Sequence, residues 1–260
     1  MKLFSLDAIN NFLNSLPQFE EREIIVNGQV NKDYKAILDK SNNKVVAIVS
    51  KKYSLVQHKD VFSLAIAKLR ETYSDNEILG YVSHHRTKAY MFITFKSATI
   101  QNDSEYKLGL MITNSVDSTL SIWTTLFLYR VVCSNGLIEK SSLLQLQSKH
   151  INSEEILNRF NKKLSIVLND FDSYVENELA FLEKTKTITA NSYEIVKKLD
   201  LSKKARYRIL GKVKPNDTLF NIYQAITDYF SNKANVSIVR RVDTIRKAKE
   251  IINQYVKLSG

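Results

Sequence analysis

The sequence predicts an α+β fold: an antiparallel sheet of about six strands with one intervening helix, followed by a long helix and a helical C-terminal region. Three observations carry this prediction. Residues 33–132 contain short β-branched and apolar runs divided by polar turns, whereas residues 153–256 repeat their apolar positions at three- and four-residue spacing. Only 6 Gly and 2 Pro occur among 260 residues, so the elements are regular and the loops short. The chain is 44% apolar and 10% aromatic, which supplies a packed core and excludes a largely disordered chain. Residues 1–150 read as a mainly antiparallel β domain with one helix, and residues 151–260 as a basic helical region packed on it or extending from it.

Asp33–Leu38 and Lys44–Ser50 are strand-like runs joined by the polar Asp39–Asn43, and they should pair as a hairpin. From His58 to Tyr73 the period changes: Val61, Phe62, Ala65, Leu69 and Tyr73 share one helical face. Glu77–His84, Lys88–Lys96, Tyr106–Thr113 and Leu120–Val132 read as further strands. Asn152-Ser-Glu-Glu155 has the form of a helix start with a reciprocal cap. The apolar stripe behind it, from Ile156 to Leu182, predicts one helix over Ser153–Lys184, roughly 48 Å long. Shorter helices are expected at Ser192–Leu199, Lys203–Leu210, Thr218–Ser231 and Ser237–Val256, with Gly211 and Pro215 stopping the second.

Cys133 is the single cysteine, which excludes an internal disulfide framework and a four-ligand cysteine zinc site. Next to it, Val132 and Ser134 suggest a small buried hydrophobe. The first residues lack a secretory pattern and no run of about 18 apolar residues occurs, so the expected location is the cytoplasm, with no membrane partner. No phosphate-binding loop, dinucleotide loop, zinc-protease or serine-hydrolase motif is present, and no catalytic residue, metal ligand or cofactor is assigned. His84 and His85 are adjacent, so on a strand they point to opposite faces.

The formal charge is +11, from 38 Lys+Arg against 27 Asp+Glu. Residues 1–150 carry 18 basic and 14 acidic groups and residues 151–260 carry 20 and 13, so the helical half is the more basic. Its densest run holds Lys197, Lys198, Lys203, Lys204, Arg206, Arg208, Lys212 and Lys214 against Asp200 alone. Two readings stay open: a helix-turn-helix reading duplex DNA, or sequence-independent phosphate contact, which the scarcity of Asn and Gln favours. Arg240 and Arg241 extend the basic surface on the last helix. In the β half, Lys51-Lys52-Tyr53 ends a strand and Arg86-Thr87-Lys88 forms a hairpin loop. Both set cations beside aromatics, as a single strand requires for phosphate neutralisation and base stacking.

Asn114, Asp117, Ser118, Arg130 and Asn135 lie on or beside apolar strands, where burial demands partners. Either they form a structural polar network, with Arg130 paired to Asp117 and Asn135 capping a turn before Gly136, or Arg130 faces a phosphate.

The order Val49–His58 with Val61-Phe62, the Asn114–Thr119 turn, Arg130–Leu137 and Thr218–Tyr229 resembles the phage/plasmid-like proteins grouped as the DUF932 family. The family turn reads Asn-Ser-His-Asp-Gly-Ser; here Val116 stands for the His and Ser118 for the Gly. The resemblance implies phage or plasmid DNA metabolism. The order of elements is also similar to Rad52-like annealing proteins, which implies homo-oligomers whose grooves hold single-stranded DNA by its backbone.

The function expected is therefore a non-enzymatic nucleic-acid-binding protein that favours single-stranded DNA and promotes annealing or recombination. Its nucleic-acid residues would be Lys51, Lys52, Tyr53, Arg86, Lys88, Arg130, Lys203, Lys204, Arg206, Arg208, Arg240 and Arg241. The alternatives are a metal-dependent nuclease or other DNA-processing enzyme, and a virion or host-interaction protein.

Overall fold

In the computed structural model the described residues are 3–75, 77–85, 87–99, 105–130, 135–138, 144–146, 152–169, 171–231 and 238–259. The chain opens with β1 (Phe4–Ser5) and α1 (Leu6–Asn14), then β2 (Phe19–Val26), β3 (Gln29–Asp39) and β4 (Lys44–Ser50). Next come α2 (His58–Arg70), β5 (Leu79–His85), β6 (Lys88–Thr99), β7 (Glu105–Ser115), β8 (Ile122–Arg130), β9 (Asn135–Ile138) and β10 (Leu144–Leu146). The second half holds α3 (Ser153–Asn169), α4 (Phe171–Thr187), β11 (Thr189–Asn191), α5 (Ser192–Lys197), α6 (Lys203–Leu210), β12 (Asn216–Thr218), α7 (Leu219–Ser231) and α8 (Ile238–Leu258). The protein is an α+β fold with antiparallel sheets.

The main sheet runs β1-β5-β6-β7-β8-β10, with β9 also paired to β8. Strand alternation sorts its side chains. Met91, Ile93, Leu110 and Ile112 join the helices in the central core, while Phe92, Met111 and Trp123 form a small cluster with Tyr81 and Tyr90 on the other face. Gly80 lets α1 approach β5 closely, since a Cβ there would lie 2.6 Å from the Phe92 carbonyl oxygen and 2.8 Å from Ile9 Cδ1. Phe62 and Leu69 of α2, Phe160 and Leu164 of α3, Ile222 and Ile226 of α7 and Ile252 of α8 belong to one contiguous cluster with these strands. Each such side chain contributes roughly 1.5–3 kcal/mol on burial.

Three expectations need correction. The hairpin over residues 33–50 is not part of the main sheet: β3 and β4 form a separate three-stranded sheet with β2. The sequence hides β2 because Glu20-Glu21-Arg22-Glu23 places charge on both of its faces. The main sheet instead gains β1, β9 and β10, two to four residues each and too short to show a period. The single helix over 153–184 is two helices, one on either side of Asp170, which lies outside the described residues. They serve different neighbours, α3 packing against α2 and β10 and α4 against α7 and β12. The predicted start holds, with Asn152 Oδ1 accepting from the Glu155 amide at 2.8 Å, but Glu155 turns to Arg159 at 2.7 Å instead of closing a reciprocal cap.

Candidate nucleic-acid interface

Two places gather the polar and basic residues singled out above. The first is the end of the main sheet, where the segments around residues 49–58 and 114–119 meet. Tyr53 donates its hydroxyl to the Ser115 carbonyl at 3.1 Å. Asn114, 2% exposed, donates Nδ2 to the Val56 carbonyl and lies 3.0 Å from His58 Nδ1. Gln57 pairs through both side-chain atoms with the backbone of Phe19, Nε2 to the carbonyl at 2.9 Å and Oε1 to the amide at 3.0 Å. Val116 plugs the joint with Phe19, Ile37 and Val49. These contacts rivet the three-stranded sheet onto the main one.

Asp117 is the hub of the following turn. It accepts from Thr87 Oγ1, Thr119 Oγ1 and the Thr119 amide. Burial pushes its carboxyl up, but the bonds from Thr119 and Thr87 outweigh this and hold it below the ordinary range. Ser118 has φ 59°, in the left-handed region that favours glycine. Glycine there relieves the Cβ strain at the cost of some chain entropy. Ser118→Gly should raise unfolding stability by roughly 0.5–1 kcal/mol, which urea denaturation reads.

Asp117 does not pair with Arg130. The Thr113–Trp123 pair beside this turn and the Tyr106–Arg130 pair are seven residues apart along β7 and β8, roughly 23 Å. Asn135 is a strand residue opposite Arg130, and its side chain lies outside the described residues. Of the expected polar network, Asn114, Asp117 and Ser118 lie together at one end of the sheet. The side chains of Arg130 and Arg241, and Arg86 and Cys133 entirely, lie outside the described residues.

At this sheet end the positive charge is tempered. Lys51 is answered by Glu23 at 3.3 Å and the nearby Lys35 by Glu21 at 2.7 Å. Tyr53 packs against the joint, and burial together with nearby Asp117 raises its hydroxyl well above the ordinary value, so its ring is a structural member. Lys52 is exposed and Lys88 half-buried, and neither makes an ion pair among the described residues.

The second place is the α5–α6 pair. β11 and β12 run antiparallel at its base, with Thr189 opposite Thr218 and Asn191 opposite Asn216. Ser192 closes the ring by donating Oγ to the Lys214 carbonyl at 2.6 Å and its amide to the Pro215 carbonyl at 2.9 Å. Asp217 accepts from the Lys214 and Thr218 amides and from Asn221 Nδ2; these bonds outweigh its burial and lower its carboxyl below the ordinary range. Asn191 caps α5 and Ser202 caps α6, each accepting from the amide three residues on, at 3.2 Å. Both ends of the 192–215 excursion are pinned.

The helical period divides α6 into two faces. Ala205 and Ile209 are buried with Ile195, Val196 and Leu199, whereas Lys203, Lys204, Tyr207 and Arg208 are all exposed. None of the three cations meets a carboxylate among the described residues. Elsewhere many cations do: Arg70 with Asp75, Arg159 with Glu155, Lys212 with Asp228, Arg246 with Glu250 and Lys249 with Glu178. Arg206 differs from its neighbours, being half-buried with Nη2 directed to the Leu199 carbonyl at 3.4 Å, where it closes the end of α5. In α5, Lys197 lies 5.8 Å from the Tyr193 ring centroid and Lys198 lies 4.9 Å from that of Tyr255. Arg240 is exposed on α8.

Sequence reasoning located the basic run but missed His58 and Thr87, which organise the first place, and Tyr193 and Tyr207, which stand exposed at the second. For Tyr207 a signal existed, since in a helix that buries Ala205 and Ile209 position 207 must face outward. For His58 and Thr87 none did, because their partners are 56 and 30 residues away. Among the described residues no group of three or more His, Cys, Asp or Glu comes together, and no helix is long and apolar enough to cross a membrane.

No curated protein and no solved structure matches the chain. The model of the family described as a domain of unknown function, DUF932, matches residues 45–254, most of the chain, and the protein belongs to that family.

Proposed function

We propose that the protein is a non-enzymatic, cytoplasmic nucleic-acid-binding protein of phage or plasmid DNA metabolism that holds single-stranded DNA by its backbone. The observation that carries this reading is the outer face of α6: Lys203, Lys204 and Arg208, exposed and free of carboxylate partners among the described residues, on a helix whose start Ser202 caps within an excursion pinned at both ends. Three cations on one short rigid face neutralise successive phosphates at little ordering cost, and each releases condensed counterions. Lys and Arg with no exposed Asn or Gln among them suit phosphate contact better than base-edge readout, which favours sequence-independent binding over a helix-turn-helix. Lys52 and Lys88 form a secondary cationic site. Backbone capture leaves Watson–Crick edges open, the condition under which a bound strand can anneal to its complement.

The test is a titration of labelled single-stranded and duplex DNA across a range of salt concentrations. Log affinity should fall linearly with log salt, by about 0.7 per phosphate contact for the single strand, and the single strand should bind more tightly. Salt-independent binding, or none at physiological ionic strength, would refute the proposal.

A further inference from the structure

We infer that Tyr207 is a base-stacking platform and makes the α6 face selective for single strands over duplex. This rests on the backbone-binding reading above and adds to it the part of the ligand that α6 reads.

Tyr207 is 82% exposed in the middle of an ordered helix. Tyrosine is a poorer helix former than the Lys and Arg beside it, so its presence there adds nothing to local stability. Among the described residues its hydroxyl has no hydrogen-bond partner, and no cation lies over its ring. The other exposed tyrosine of the pair is differently placed. Tyr193, 54% exposed, has Lys197 over its ring at 5.8 Å. Tyr207 therefore offers both faces of an aromatic ring to an incoming partner.

The neighbours say what that partner is. Lys203 and Lys204 stand one helical turn before Tyr207 and Arg208 directly follows it, so the ring is framed by cations on one face. A ligand that satisfies all four carries closely spaced anions with a flat π-surface between them, which describes an unpaired polynucleotide. Duplex supplies the phosphates but keeps its base faces stacked inside. A lipid surface supplies phosphates but needs an apolar helix face to insert, and the apolar face of α6 is buried.

The experiment compares oligo-thymidine, an abasic strand of equal length and oligo-uridine, each with wild type, Tyr207→Ala and Tyr207→Phe, at several salt concentrations. Wild type should prefer oligo-thymidine over the abasic strand by roughly five- to a hundredfold, the effect of one stacked base. Tyr207→Ala should erase that preference while leaving the salt slope unchanged, and Tyr207→Phe should keep it. Uridine binding equal to thymidine places the recognition in the stacked base and backbone shared by RNA and DNA, as inferred. Equal affinity of wild type for the thymidine and abasic strands, with a normal salt slope, would overturn the stacking role and leave backbone binding intact. Loss of salt-dependent binding to every strand would overturn both.

Discussion

Replacing Lys203, Lys204 and Arg208 together with Gln is expected to lower the salt slope for single-stranded DNA by about 2, from about 0.7 per lost phosphate contact. Extrapolated from 1 M salt, that difference weakens binding roughly 50-fold near 0.15 M. All three side chains are exposed and make no ion pair among the described residues, so the fold should be unaffected, and an unchanged thermal midpoint checks this. Arg206→Gln is the informative contrast. Its Nη2 serves the Leu199 carbonyl, so this substitution should lower stability with little change in slope. A triple variant with an unaltered slope would remove α6 from the interface.

The second large effect is on stability. His58 is fully buried beneath Phe19, whose ring lies edge-on at a centroid distance of 5.5 Å, and its Nδ1 faces Asn114 Nδ2. An amide nitrogen can only donate, so Nδ1 accepts and the ring proton sits on Nε2, which has no hydrogen-bond partner. Desolvation, reinforced by His84 and partly offset by Asp117, lowers the pKa of the imidazole from 6.5 to about 4. The unfolded chain therefore binds a proton that the folded chain refuses. This contribution to stability is whole above about pH 6.5 and is lost as pH falls toward 4, a decline of about 3 kcal/mol. Carboxylates held below their ordinary values, such as Asp117, Asp217 and Glu77, lose their contribution below about pH 5, where the raised Asp60 acts in the opposite sense, so the interval from about pH 5 to 6.5 reports His58. Urea unfolding between about pH 4.5 and 7 should show the slope in wild type, and His58→Gln, whose side-chain oxygen can still accept from Asn114, should flatten it. A variant as pH-sensitive as wild type would show that His58 is not the titrating group.

How much of this was legible in the chain follows from the range of the forces involved. The β3–β4 hairpin, α2, β5 to β8 of the main sheet and α5 to α8 follow from local period and turn chemistry, which act over a few residues. The separation of the small sheet, the division at Asp170 and the β11–β12 clasp depend on which surfaces meet, and period carries no record of that. The basic run from Lys197 to Lys214 was plain as composition, yet only the fold sorts it. Lys203, Lys204 and Arg208 face outward, Arg206 turns back to α5, Lys198 lies against Tyr255 and Lys212 pairs with Asp228. At the sheet end the reverse holds. Lys51-Lys52-Tyr53 looks in sequence like an exposed cationic and aromatic cluster, but Glu23 answers one lysine and Ser115 holds the tyrosine. Val116 fills the joint with hydrocarbon beside Phe19, Ile37 and Val49, so the joint formed there is structural in this chain.

The most direct measurement is photo-crosslinking. A strand of roughly 20 nucleotides, longer than the ~4–16 that a single-strand site commonly covers, carries iododeoxyuridine and is irradiated with the full chain, and the attached peptides are identified by mass. The outer face of α6 as the binding surface predicts attachment at Tyr207 and its flanking segment, suppressed by excess unlabelled strand and by high salt. Crosslinks confined to the sheet-end residues around Lys52 and Lys88, or spread evenly without competition, would contradict it.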